Sequence, residues 1–130
     1  MRGLCIVPAG IGAFLGAFFG GWDGFLYVLI ALVVTDYVTG VMSAAASGEL
    51  SSAVGFRGIF KKLCIFILVG ASNIIDVHII GAGEVLRTTA IMFYIANEGI
   101  SLLENAASLG LPVPRRLTDM LKQLKSKEDE

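Results

Sequence analysis

Charged residues are scarce in this sequence. They make up 16% of its 130 residues, whereas about 25% is typical of a soluble domain. Hydrophobic residues make up 55%, and the mean hydropathy is +0.79. This composition excludes an ordinary soluble domain and predicts a small protein embedded in a membrane.

Groups that bind metals or perform catalysis are also few. Cys5, Cys64 and His78 lie far apart without zinc-ligand spacing, so we expect two buried thiols and no metal site. The net charge of -1 provides no basic stripe for nucleic acid. The sequence lacks a phosphate loop, a nucleophile elbow and an HExxH motif, and Glu98 and Glu104 lie about 120° apart on a helical wheel. We therefore predict no enzyme activity, no cofactor and no nucleic-acid partner.

Apolar segments occupy most of the chain and are separated by short turns. We predict an all-α integral membrane protein with a transmembrane domain over residues 1–110 and a cytoplasmic segment over residues 111–130. The first apolar segment could instead be a cleaved signal peptide or a helix lying in the membrane interface, which would leave three spans instead of four. The predicted spans are 4–20, 25–46, 63–80 and 85–109.

Three glycines repeat at four-residue intervals in the first segment. Gly12, Gly16 and Gly20 would lie along one side of a helix. Small residues at this spacing let two membrane helices approach closely. We therefore predict that this side of the first helix packs against another helix.

Polar residues form a stripe along the fourth segment. On a helical wheel they share an arc of about 120° with Arg87, and the rest of the circumference is apolar. A lone charged side chain in a span costs at least about 2.5–3.5 kcal/mol, so such residues avoid lipid. We predict that this stripe and the weaker ones on the second and third segments line a pore or make polar contacts between helices. The predicted residues are Asp36, Thr39, Asn73, Asp76, Tyr94, Asn97, Glu98, Ser101, Glu104 and Asn105.

Basic residues fall almost entirely on one side of the predicted membrane. With four spans, nine of the ten lysines and arginines share a side, and Arg87 stands alone on the other. The positive-inside rule makes the basic side cytoplasmic, together with both termini. We expect a hydrophilic loop over residues 47–62, where glycines at 48, 55 and 58 favour turns. The predicted cytoplasmic anchors are Arg57, Lys61, Lys62, Arg115 and Arg116.

A short amphipathic helix is predicted after the last span. Leu117, Met120, Leu121 and Leu124 recur at helical spacing, opposite basic residues. Such a helix could lie on anionic lipid or pair with its copies in other chains.

Several short motifs resemble one known family. They occur in family order between about residues 34 and 120, and the last two are adjacent and the most specific. The motifs are Asp36-Tyr37-Val38-Thr39-Gly40 with Ser47-Gly48, Gly58 to Lys62, Asn97-Glu98-Gly99-Ile100-Ser101 with Glu104-Asn105, and Gly110-Leu111-Pro112-Val113-Pro114. The chain resembles the phage holin and toxin-secretion holin family of Gram-positive bacteria and their phages.

The resemblance implies a protein of the bacterial cytoplasmic membrane. Such a protein oligomerises with copies of itself in the lipid and opens lesions at a programmed time. An endolysin or a large toxin then leaves the cell as cargo and not as a tight partner. The polar stripes are equally compatible with a small oligomeric ion channel or transporter that uses the same carboxylates, or with an accessory subunit that docks another membrane protein.

Overall fold

The part of the chain that the structure describes folds as a bundle of five α-helices. A computed structural model describes the backbone of residues 2–81 and 83–129, and the side chains of residues 6–81 and 83–126. Within these ranges there is no strand, so the all-α fold class is confirmed. The helices are α1 (Arg2–Phe19), α2 (Gly24–Ala46), α3 (Ser52–Ile75), α4 (Val85–Ser108) and α5 (Arg115–Asp129), and a π-helical turn, Asp76–Ile80, continues α3.

Two helices are long and apolar enough to cross a membrane by length and composition alone. They are α2, with 23 residues, and α3 together with its π-helical turn, with 29 residues. The apolar part of α1, Ile6–Phe19, is shorter. Helix α4 has the length of a span but contains Arg87, Glu98 and Glu104. The predicted number of four spans therefore stays a prediction.

Helix α4 is the centre of the bundle. It packs against α2, α3 and α5, while α1 packs against α3. The apolar core between these helices contains Leu26 and Leu29 of α2, Val69 of α3 and Ile91 of α4, all fully buried. Large apolar side chains on the outer surface of α2 and α3 remain exposed, as expected for helices that contact lipid.

Helix α3 begins much earlier than the sequence predicted. The expected hydrophilic loop over residues 47–62 is wrong, because only residues 47–51 connect α2 to α3. Ser51 caps α3 by accepting a hydrogen bond from the Val54 amide at 3.2 Å. Gly55 and Gly58 lie inside the helix, where a Cβ atom on Gly58 would be 3.2 Å from the Tyr37 ring. These glycines serve close packing of α2 on α3, and not the turns that their frequency suggested.

The predicted C-terminal helix is present as α5, but it folds back along α4. Gly110, with φ of +93°, helps the chain reverse between the two helices. Leu121 then packs over Gly99, where a Cβ atom would be only 3.1 Å from the leucine side chain.

The cysteine expectation needs one correction. Cys64 is exposed on the outer surface of α3, so it is not a buried thiol. An apolar thiol is compatible with lipid, which the sequence argument for burial overlooked. The side chain of Cys5 lies outside the described residues.

Candidate functional site

Three charged side chains, each from near the middle of a different helix, meet inside the bundle. Lys62 of α3 donates hydrogen bonds to Asp36 Oδ2 of α2 and to Glu98 Oε2 of α4, the latter at 2.5 Å. The side chains of Asp36 and Glu98 are 4% and 3% exposed, and that of Lys62 is 20% exposed. We call this set the ion triad. It contains two carboxylates and one ammonium group, so acidic groups outnumber basic ones.

Asn105 extends the ion triad toward the C-terminal end of α4. Its side-chain amide donates to Asp36 Oδ1 at 2.9 Å and to Thr39 Oγ1 at 3.0 Å. It also contacts the Asp36 carbonyl oxygen at 3.1 Å. One turn further along, the hydroxyl oxygens of Ser43 and Ser108 are 2.5 Å apart. The polar faces of α2 and α4 thus meet each other from Asp36 to Ser43 on α2 and from Asn105 to Ser108 on α4.

A cavity of about 210 Å³ opens beside the ion triad. Asp36, Lys62, Ser101 and Asn105 contribute polar side chains to its wall. A water molecule takes up about 30 Å³ in the liquid, so several would fit. The charged groups therefore border a space that water or a small ion can occupy.

A second polar cluster ties the turn between α1 and α2 to the start of α4. Arg87 is 1% exposed and donates from Nη1 to Asp23 Oδ2 at 2.8 Å, from Nη2 to the Gly21 carbonyl at 3.1 Å, and from Nε to the Phe19 carbonyl. We call this set the arginine cluster. The Arg87 guanidinium beside Asp23 holds the pKa of that carboxyl below its usual value.

Two polar residues, one in α3 and one in its π-helical turn, form hydrogen bonds with the ends of neighbouring helices. Asn73 donates to the carbonyl groups of Ala17 and Phe18, at the C-terminal end of α1. Asp76 is 1% exposed and accepts from the amides of Leu86 and Arg87 at 3.0 and 2.8 Å, at the N-terminal end of α4. Helix ends leave such backbone groups unpaired, so both side chains stabilise connections between helices.

The predicted stripe of three glycines is wrong at Gly20, because α1 ends at Phe19 and Gly20, with φ of +87°, begins the turn that holds the arginine cluster. A Cβ atom on Gly16 would be 2.8 Å from the Trp22 indole nitrogen, and one on Gly20 would be 2.4 Å from Asn73 Oδ1. A Cβ atom on Gly12 would meet nothing within 4 Å. The stripe faces an open groove of about 690 Å³, and packing of another helix there stays a prediction.

The other predicted residues of α4 lie in different surroundings. Asn97 accepts a hydrogen bond from Lys125 of α5 at 3.0 Å. Tyr94 is half-buried, with its ring centroid 5.1 Å from that of Phe93. Glu104 is exposed and therefore stands apart from the ion triad. A pore-lining role for any residue of the stripe stays a prediction.

The predicted anchors divide into two groups. Arg57, Lys61, Arg115 and Arg116 are exposed, and their position relative to a membrane stays a prediction. Lys62 differs, because it reaches into the bundle as the cation of the ion triad. Sequence reasoning placed it at a helix entrance because it placed the start of α3 too late. The signal that distinguishes it from Lys61 is its position on the helix face of Asn73 and Asp76.

The ion triad acts through electrostatic contacts between helices. Within the described residues, no group of three histidine, cysteine or acidic side chains is placed to hold a metal ion. The ion triad links three helices through charge-assisted hydrogen bonds, which are stronger than neutral ones. Movement of any one of these helices away from the other two must therefore break at least one charged contact.

Comparison with known proteins identifies the family. The model of the bacteriophage holin family matches residues 13–126. A probable holin of Bacillus phage phi105 is 35% identical over 88% of this chain and 84% of its own length. An uncharacterised protein of Listeria monocytogenes is 43% identical over 93% of this chain and 87% of its own length. A 14.9 kDa protein from the nagH 3′ region of Clostridium perfringens is 43% identical over 85% of this chain and 83% of its own length.

No solved structure matches the chain. The family match extends over all of α2, α3 and α4, which supply the ion triad and the arginine-cluster residue Arg87. These matches identify the family, and the apolar surfaces of α2 and α3 indicate a protein that contacts lipid. The chain belongs to the bacteriophage holin family and is a helical membrane protein.

Proposed function

We propose that this protein assembles with copies of itself in the bacterial cytoplasmic membrane and opens lesions. An endolysin, or in a toxin-secreting host a large toxin, leaves through them. Family membership and the similarity to a probable phage holin support this proposal. The one structural observation that carries it is the contact of Lys62 with the buried carboxylates of Asp36 and Glu98 among α2, α3 and α4, in a chain whose α2 and α3 expose many large apolar side chains.

The proposed topology has four spans with both termini in the cytoplasm. In it α1, α2, α3 with its π-helical turn, and α4 each cross the membrane. Nine of the ten basic residues then lie toward the cytoplasmic side, and the arginine cluster lies near the opposite surface. The exposed apolar side chains of α2 and α3 contact lipid in this arrangement.

In the proposed mechanism, opening exposes the ion triad and Asn105 to water. A single chain of this size is too small to enclose a wide channel, so several copies must surround the lesion. In the closed protomer, Lys62, Asp36, Glu98 and Asn105 satisfy one another away from lipid. When protomers gather, separation of α3 from α2 and α4 exposes these groups to water, which solvates them and stabilises the open wall.

Substitution of Glu98 tests the role of the ion triad. Removal of its carboxylate leaves one acid, Asp36, paired with Lys62 and should stabilise the closed protomer. We expect Glu98→Gln and Glu98→Leu to delay the onset of permeabilisation in expressing cells. Glu49→Gln, in the exposed loop between α2 and α3, is the matched control and should keep normal timing. Normal timing in both Glu98 variants would exclude a role for the carboxylate.

A small ion channel is the second candidate function. The cavity of about 210 Å³ beside the ion triad favours it, because charged groups around a small wet space can select ions. The two functions differ in cargo: a channel passes ions and excludes folded proteins, whereas a holin lesion passes both.

A further inference from the structure

Helix α5 packs against the middle of α4. If α4 spans a bilayer, that position is strongly disfavoured for a helix with charged side chains. Lys125 donates to Asn97 at 3.0 Å and stands 5.7 Å from the centre of the Phe93 ring. Asn97 lies 11 residues from Ser108, or about 16 Å along the helix axis. If α4 spans a hydrocarbon core of about 30 Å, this contact lies close to the bilayer midplane.

The outward side of α5 is unsuited to that depth. Arg116, Asp119 and Lys122 are exposed on it, and charged side chains facing lipid at the midplane are strongly disfavoured. The α4 surface beneath α5 is largely apolar, since Lys125 lies over the Phe93 ring and Leu121 packs over Gly99. Acyl chains can replace α5 on this surface except at Asn97, which loses its Lys125 partner in the exchange.

The composition of α5 fits the membrane surface. Residues 115–126 contain four basic side chains and one acidic one, and the acidic Glu128–Glu130 lies at the end away from Arg115. Leu117 and Met120 are 44% and 59% exposed, so they are available for insertion between headgroups. Amphipathic helices of this kind bind anionic lipid through apolar insertion and charge attraction together.

We propose that α5 binds either of two surfaces: α4 in the compact protomer, or anionic lipid headgroups in a membrane. In the compact protomer α5 docks on α4. Once α4 spans the bilayer, α5 swings out about the segment Leu109–Pro114 and lies on the headgroups of the leaflet it faces, and lipid takes its place on α4. The inference rests on the proposed membrane-spanning position of α4, but not on the formation of a lesion.

Cysteine cross-linking of the full chain tests this exchange. Asn97→Cys and Lys125→Cys report docking of α5, in a chain whose native cysteines are changed by Cys5→Ser and Cys64→Ser. Ser43→Cys with Ser108→Cys is the control pair, because it joins α2 to α4 at adjacent hydroxyl groups. The chain is compared in detergent, in phosphatidylcholine vesicles, and in vesicles of equal parts phosphatidylcholine and phosphatidylglycerol.

We expect disulfide formation between positions 97 and 125 to slow by about tenfold in the phosphatidylglycerol vesicles relative to detergent. The control pair should keep its rate. Arg116→Gln with Lys122→Gln should restore much of the docking rate, since these changes weaken lipid binding and leave the reporting positions 97 and 125 unaltered.

Three results would overturn the proposal. An unchanged rate in all media would mean that α5 stays docked. Equal slowing in both kinds of vesicle would exclude anionic lipid as the ligand. A disulfide that joins two different chains would assign the α4 surface to a second copy. Dye release from the same vesicles reports on lesions separately, so failure of the proposed function would be distinguishable from failure of this inference.

Discussion

Lys62 is the residue on which the internal electrostatics of the protomer depend most directly. Its ammonium group contacts two carboxylates that are almost completely buried. Lys62→Met would leave both without a cation, and loss of one partner of a buried ion pair costs about 3–5 kcal/mol. We expect a large loss of thermal stability in detergent. Lys61→Met, at the exposed neighbouring position, should have little effect, and equal melting temperatures for the two variants would contradict the ion triad.

Gly20 is the residue with the strictest steric requirement. Its φ of +87° lies in the left-handed region, and a Cβ atom would be 2.4 Å from Asn73 Oδ1. Gly20→Ala should therefore destabilise the protein by about 1–3 kcal/mol. Gly12→Ala is the matched control, because that position is helical with open space around it, so it should be neutral or slightly stabilising. Thermal unfolding in detergent measures both, and similar behaviour would contradict the described turn.

Residue type predicted which side chains avoid lipid, but not which other side chains they contact. The sequence indicated that Asp36, Glu98 and Asn105 avoid lipid, because their cost in a membrane depends on residue type alone. It did not indicate that Lys62 joins them, since that contact depends on where α3 begins. The pairing of Asp23 with Arg87 was not predicted either, because it depends on the three-dimensional return of the chain.

At the scale of helices, hydrophobic runs predicted where the helices lie. The glycines in residues 47–62 led to a wrong prediction for the start of α3. Apolar runs predicted the approximate position of each helix, because such runs exceed the length of a turn. The glycines at 55 and 58 suggested a loop, whereas in the structure they let Tyr37 approach α3. The docking of α5 on α4 could not be predicted, because an amphipathic pattern does not specify its partner.

The predicted arrangement of helices across the membrane can be tested by labelling. We expect a membrane-impermeant maleimide to label Glu84→Cys in intact protoplasts, and Glu49→Cys and Ser126→Cys only after lysis. The native cysteines are removed by Cys5→Ser and Cys64→Ser. This outcome follows if α3 and α4 both cross the membrane and the basic side is cytoplasmic.

Two controls sharpen the labelling experiment. A cleavable tag placed before Met1 should resist external protease if α1 also crosses, and its cleavage in intact protoplasts would favour three spans. Labelling of Glu49→Cys and Glu84→Cys from the same side would contradict the proposed topology.

For the whole molecule, the main feature is that many apolar side chains lie outside and several charged side chains lie inside the bundle of α2, α3 and α4. Apolar side chains occupy much of the exterior of α2 and α3, while Asp36, Glu98 and Arg87 are buried inside the bundle. A membrane protein that stays monomeric has no need to expose the enclosed groups. In the proposed mechanism a polar wall is needed only after assembly, and the groups that stabilise the protomer would then supply it.

Release of cargo of two sizes distinguishes a holin lesion from a small channel. Purified full-length protein is added to vesicles that contain a small dye and a fluorescent folded protein of endolysin size. We predict that both leave the vesicles once a threshold protein density is reached, since a lesion of the proposed kind requires many copies. Escape of the dye with complete retention of the folded protein would contradict a holin lesion and favour a small channel.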